Sequence, residues 1–204
     1  MNRRHVHTST MLLSTTFALL AGPALAQEGA PPQMSPEEQA AMAAYAKAGT
    51  PGAEHRTLAA MAGDYDLTVK SWYGPGEPAT DTGTATRRMI LGDRVLVEEV
   101  KAQMMGQPFN GQGLHGFDNV TGRYWSTWND SMSTGVMVSE GSCDANGACT
   151  YQGRHNDAVS KQPMTTRMTT RWTDPSTEVF EMYGPGPDGK ETKMMEITYR
   201  KRGH

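Results

Sequence analysis

Two adjacent methionines, Met194 and Met195, sit in the run "EVFEMYGPGPDGKETKMMEITYRK" from Glu178 to Lys201, and a second pair, Met104 and Met105, precedes "GQPFN". Thioethers are soft ligands that suit Cu(I), and 13 of the 15 methionines follow residue 26. A copper site needs them on one side with histidine close by. Adjacent residues of a strand point to opposite faces, so Met195 is expected inside and Met194 outside. Adaptable, polarisable packing is the better account, and no metal is expected.

The remaining chemistry lies in histidines and carboxylates. His115 and His155 fall in strand-like runs that a barrel would bring together, which suits a metal or haem ligand, but nothing in their spacing requires one. No CxxCH attachment motif is present, and no cofactor is expected. Asp130, Glu140, Glu181, Glu196 and His155 are the polar candidates. Glu181 and Glu196 stand on the two arms around "GPGPDG" as cross-strand neighbours. Like charges placed so repel, so Arg88, Arg171 or Arg200 is expected beside them. Two readings stay open for these acids: a solvated outer face, or a buried acid with a raised pKa at a pocket. The chain has no GxSxG, HExxH or P-loop, which lowers an enzyme reading without excluding it.

Residues 1–26 read as a signal peptide. Arg3 and Arg4 precede an apolar run, Met11 to Ala21, and "ALA" at Ala24–Ala26 supplies small residues for cleavage. The run is too short to span a membrane, so a periplasmic or secreted protein is expected. Cleavage after Ala26 removes two arginines and no acid, taking the net charge from −3 to −5. With no basic cluster, nucleic acid is excluded as a partner, and no transmembrane segment is expected in the mature chain. Cys143 and Cys149 flank an Asn-Gly turn in "GSCDANGACTY". A hairpin there sets them opposite each other, and a disulfide is expected in an oxidising compartment.

These groups need elements to position them. Residues 27–50 read as a flexible segment with a short Ala-rich helix, in which "SPEEQAAMAAYAKAG" carries Ser35 as cap, Pro36 in the first turn and Gly49 as stop. A second helix is expected to start on Thr50 and Pro51 and to face Leu58 and Met61 to a core. From Tyr65 onward about ten short strands alternate with turns such as "GPGEP", "GQPFN" and "DANGA". No helix interrupts them, so the fold class is mainly β: an antiparallel up-and-down β-barrel over residues 51–204, preceded by one or two short N-terminal helices. Period-2 alternation places Leu67, Val69, Met168, Trp172, Met195, Ile197 and Tyr199 on the inner face, together with Ser71, Thr166 and Thr170. Trp125 and Trp128, three apart, face opposite sides.

The stretches "MMGQPFNGQGLHGFDN", "STWNDSMSTGVM", "SEG" and "FEMYGPGPDGKETKMMEITY" resemble a bacterial family known as domain of unknown function 1579. The resemblance runs from "PGAEHRTLAAMAGDYDL" to the C-terminus and implies a lipocalin-like, calycin-type barrel. It supplies no reaction. Three functions follow from the reading: a barrel that binds a small apolar or amphipathic ligand, an enzyme working in such a cavity, and a filled barrel with a structural or protein-binding role. The first is favoured, because a few polar groups among methionines and aromatics is how a ligand pocket is lined. A non-enzymatic role is favoured over an enzymatic one. The ligand and the oligomeric state are not legible in the sequence.

Overall fold

The computed structural model describes residues 34–186 and 188–203. The leader expected at 1–26 lies outside the described residues, as does most of the segment expected to be flexible. Ten strands follow two helices, α1 (Pro36–Ala48) and α2 (Ala53–Ala60): β1 (Gly63–Ser71), β2 (Ala79–Ile90), β3 (Val95–Met104), β4 (Gln107–Asp118), β5 (Arg123–Asp130), β6 (Met137–Cys143), β7 (Cys149–Asn156), β8 (Pro163–Asp174), β9 (Thr177–Pro185) and β10 (Glu191–Lys201). Each strand pairs antiparallel with the next, and β10 returns to pair with β1. The closed up-and-down barrel expected from the alternation is the fold observed, and closure leaves no strand edge unpaired. Among the described residues no helix is long and apolar enough to cross a membrane.

α1 begins as its sequence dictates. The Ser35 hydroxyl accepts the Glu38 N–H at 3.2 Å, and the Glu38 carboxylate accepts the Ser35 N–H at 2.7 Å. This is a capping box with Pro36 in the first turn. The helix buries none of its side chains. α2 does not start on Thr50. The Thr50 hydroxyl is used at the end of α1, donating to the Ala46 carbonyl at 2.7 Å. Gly52 takes the N-cap position instead, and its N–H donates to Nδ1 of His55 at 3.0 Å. α2 buries His55 and Leu58 and packs on β2, β3 and β4. Asn119 donates to the carbonyls of Ala48 and Thr50, and Arg94 donates to that of Gly49. The interhelix segment is thus tied to the β2–β3 and β4–β5 turns at one end of the barrel.

Two local devices depart from simple alternation. "GQPFN" is not a turn: Met105 (φ 53°) and Gly106 (φ 73°) alone make the β3–β4 connection, so β4 starts at Gln107 opposite Met104. Two residues with positive φ match the twist of the flanking strands, and Met105 adopts that conformation as an exposed residue. The second device is a β-bulge where β9 and β10 shift register between Lys193 and Met195. Lys193 stays outside, paired with Glu181 and Glu196, while Met194 and Met195 both line the interior. Met194 therefore does not point outward as alternation implies, because a bulge adds one residue to the face count. Its Sδ fills the space that a Cβ on Gly184 would need.

The two tryptophans of β5 do face opposite sides, and each lies over a glycine of β4. Trp128 covers Gly111 inside and stacks on Phe109 with ring centroids 6.5 Å apart, while Trp125 covers Gly116 outside. The tightest packing, around Tyr65, Leu67, Val69, Ala85, Val100, Phe109 and Tyr199, belongs to β10 and β1–β4. At the β6–β7 hairpin Cys143 and Cys149 are directly opposite and joined in a disulfide. Asp144 Oδ1 accepts the N–H groups of Asn146 and Ala148 and orders the turn. Loop-closure entropy for so short a loop is about 2 kcal/mol. Replacing both cysteines with serine is expected to lower the unfolding free energy by that amount, read as a shift in the urea midpoint. An unchanged midpoint would show that the turn needs no covalent tie.

Candidate functional site

The inward-facing residues do not fill the barrel. A cavity of about 1100 Å³ remains, within reach of the largest small-molecule sites. It is bordered by Leu67, Val69 and Ile197 and, next to them, by an arc of methionines. Met182 stands opposite both Met168 and Met195, so three thioethers form one row across β8, β9 and β10. Met137, Met164 and Met194 extend the arc. Unbranched, polarisable side chains of this kind can repack around guests of different outline. The wall is thus mostly apolar and adaptable.

One polar cluster interrupts it. Arg87 of β2 is directly opposite Glu98 of β3. Its Nε lies 3.2 Å from Glu98 Oε1, and its Nη1 lies 2.5 Å from Glu178 Oε2 of β9. These side chains are 5 %, 3 % and 2 % exposed. The guanidinium also stacks over the rings of Tyr199 (4.3 Å to the centroid) and Tyr65 (4.9 Å), where the ring faces attract a cation. His115 Nε2 completes the cluster 3.2 Å from Glu98 Oε2. Burial alone would raise the Glu98 pKa. The Arg87 charge and the His115 hydrogen bond outweigh it and hold the carboxyl down at about 2. Burial pushes the Tyr199 hydroxyl well above its ordinary value, and the Glu98 charge adds to this.

A depressed carboxyl ties stability to pH with a definite sign. The contribution of Glu98 is complete above its unfolded pKa near 4.5 and is lost as the pH falls from there through about 2. Its size is about 3 kcal/mol. Wild type is therefore expected to lose stability more steeply than Glu98→Gln over that window, measured by denaturant unfolding at stepped pH. Parallel curves would contradict the ion-pair account.

The polar candidates from the sequence separate cleanly. Glu140 lies on the outer face between inward-facing Ser139 and Gly141 and is exposed. Glu181 and Glu196 are cross-strand neighbours, as expected, and also face outward. Their partners are Lys193 for both, Arg171 for Glu181 and Lys70 for Glu196; of the three basic residues expected, only Arg171 joins them, and Arg88 pairs with Glu99. Their pKa values are lowered, not raised. For Glu181 burial opposes the Lys193 and Arg171 bonds that win, and for Glu196 the Lys193 hydrogen bond leads. They form no acid site. Asp130 and His155 do border the cavity. Asp130 accepts the Trp128 indole N–H at 3.0 Å and the Met132 N–H at 2.9 Å. Nδ1 of His155 is buried without a hydrogen-bond partner.

Leu67, Val69, Met168, Trp172, Met195, Ile197 and Tyr199 all border the cavity too; Trp172 stands opposite Glu178 and is 37 % exposed. The sequence reading passed over Arg87, Glu98, Glu178 and the role of His115. The signal was there: in "TATRRMI" and "VLVEEV" two like charges are adjacent in a strand, so one of each pair must face inward. Among the described residues no group of three or more His, Cys, Asp or Glu side chains is placed to hold a metal.

A family model described as a protein of unknown function, DUF1579, matches residues 50–201, which cover the whole barrel. The chain belongs to the DUF1579 family. Among curated proteins none matches it. The barrel of this DUF1579 member is similar to the crystal structure of Rv2717c from M. tuberculosis, with a TM-score of 0.56, 10% sequence identity, and coverage of 76% of this chain and 100% of that one. It is also similar to the S-type phycobiliprotein lyase CPES from Guillardia theta, with a TM-score of 0.53, 8% identity, and coverage of 74% and 93%. Identities this low show a shared fold and nothing about activity.

Proposed function

We propose that this DUF1579 protein holds a small apolar or amphipathic molecule inside its barrel. The observation that carries the reading is the cavity of about 1100 Å³ behind a largely apolar, methionine-rich wall. A filled barrel with a purely structural role would bury these side chains against one another. The likeness to a barrel named as a phycobiliprotein lyase supports the reading only as a fold able to serve small-molecule work. Export from the cytoplasm is part of the proposal, supported by the leader sequence and by the Cys143–Cys149 bridge. Native mass spectrometry on protein purified from its own host tests the reading. A 1:1 adduct, present at once or after incubation with a small-molecule extract of the host, is expected. An unliganded mass in both samples would count against it.

A reaction in the same cavity is the second reading, and one observation favours it. His115 borders the open volume and is oriented by Glu98 at 3.2 Å, as a proton-handling histidine would be. Glu98 is held ionised and is not itself poised to donate a proton. Conversion of a component of that extract by wild type and not by His115→Asn would move the assignment to an enzyme.

A further inference from the structure

The charges around the cavity restrict what its guest can carry. Among the described residues bordering it, Arg87 is the only lysine or arginine, set against the carboxylates of Glu98, Asp130, Asp144 and Glu178. Nor is Arg87 available to an acidic guest, because Nε and Nη2 face Glu98 and Nη1 faces Glu178. Both oxygens of Glu98 are engaged, one by Arg87 and the other by His115. Glu178 differs. Its Oε2 meets Arg87, whereas among the described residues its Oε1 takes part in no hydrogen bond and is not sealed off, on a side chain only 2 % exposed at the cavity wall.

A carboxylate oxygen with no donor beside a largely apolar cavity gains from a guest donor that reaches it. A second anion brought into the same low-dielectric space would be repelled by the unbalanced acids. A positively charged or hydrogen-bond-donating head would be attracted by both features. We propose that the cavity selects amphiphiles bearing an ammonium or another donor head, directed to Glu178, and rejects fatty-acid-like carboxylates. The apolar tail would lie along the methionine arc. This inference rests on the ligand-binding reading above and adds the chemical class of the head group.

The test uses decylammonium, decanol and decanoate, which share a tail and differ in charge. Each competes with the neutral fluorophore N-phenyl-1-naphthylamine for wild-type protein at neutral pH and fixed ionic strength. The expected order is decylammonium, then decanol, then decanoate, with at least tenfold between the first and last. Glu178→Gln is expected to shrink that ratio several-fold. Should that variant fail to fold, Asp130→Asn, outside the Arg87 cluster, is expected to shrink it in the same direction. Decanoate binding as tightly as decanol, or a ratio unmoved in whichever of these variants folds, would overturn the selectivity while leaving the cavity reading intact. Failure of the neutral fluorophore itself to bind would end both.

Discussion

Arg87→Met is expected to destabilise the protein by about 3–5 kcal/mol, the usual result of removing one member of a buried charge cluster. The loss comes from what is left behind. Glu98 and Glu178 would face each other across a site 3 % and 2 % exposed with no cation between them. Tyr199 and Tyr65 would lose the guanidinium they stack on. The triple variant Arg87→Met, Glu98→Leu, Glu178→Leu removes the three buried charges, leaving the half-buried His115, and is expected to recover most of the loss, since apolar replacement of a buried ion network is often neutral or stabilising. Chemical denaturation of the single and triple variants checks both statements. A single variant within 1 kcal/mol of wild type, on the scale of exposed pairs, would show that the cluster is not desolvated as described.

Filling the cavity is expected to cut guest affinity at least tenfold at small cost in stability. Met182 and Ile197 face the open volume from adjacent strands. Tryptophan at both positions enlarges two side chains that project into empty space. The penalty of about 1–3 kcal/mol for overpacking a close-packed core should therefore be largely avoided. Val138→Trp is the control, because Val138 lies on the outer wall and is exposed; it should leave binding unchanged. Titration with N-phenyl-1-naphthylamine reads all three proteins. Equal affinity in the filled variant and the control would place the bound fluorophore outside the barrel.

Much of the fold was legible in the sequence. Ser35, Glu38 and Pro36 specify a helix start that needs no tertiary partner, and Asn146-Gly147 pairs Cys143 with Cys149 through local backbone preference alone. The strict alternation of Leu67, Val69 and Ser71 fixes which face of β1 turns inward. Most of the misses depend on partners distant in the chain or on a shift of register, and one is local. Met194 lies inside only because β10 bulges against β9. Thr50 caps nothing because Ala46 offers it a carbonyl first. The Arg87–Glu98–Glu178 cluster gathers β2, β3 and β9, and no local window contains all three. Adjacent like charges in β2 and β3 show that one arginine and one glutamate turn inward, but not that they meet.

The same reasoning explains why the carboxylates singled out in the sequence separate into two groups. Glu181 and Glu196 lie in a motif-rich hairpin, and their register as neighbours follows from its turn. Register says which residues pair and not which side of the wall they face once a bulge intervenes. Lys193 resolves their repulsion from outside the barrel. Asp130, singled out in the sequence, does border the cavity, while Glu98 and Glu178 come from less conspicuous positions, Glu178 near the start of β9.

The central claim is that the barrel is an open binding site, and saturation of wild-type protein with N-phenyl-1-naphthylamine tests it most directly. The account predicts a saturable rise in emission with one site per chain, reversed by decylammonium. Emission that rises linearly without saturation, or not at all, would contradict it.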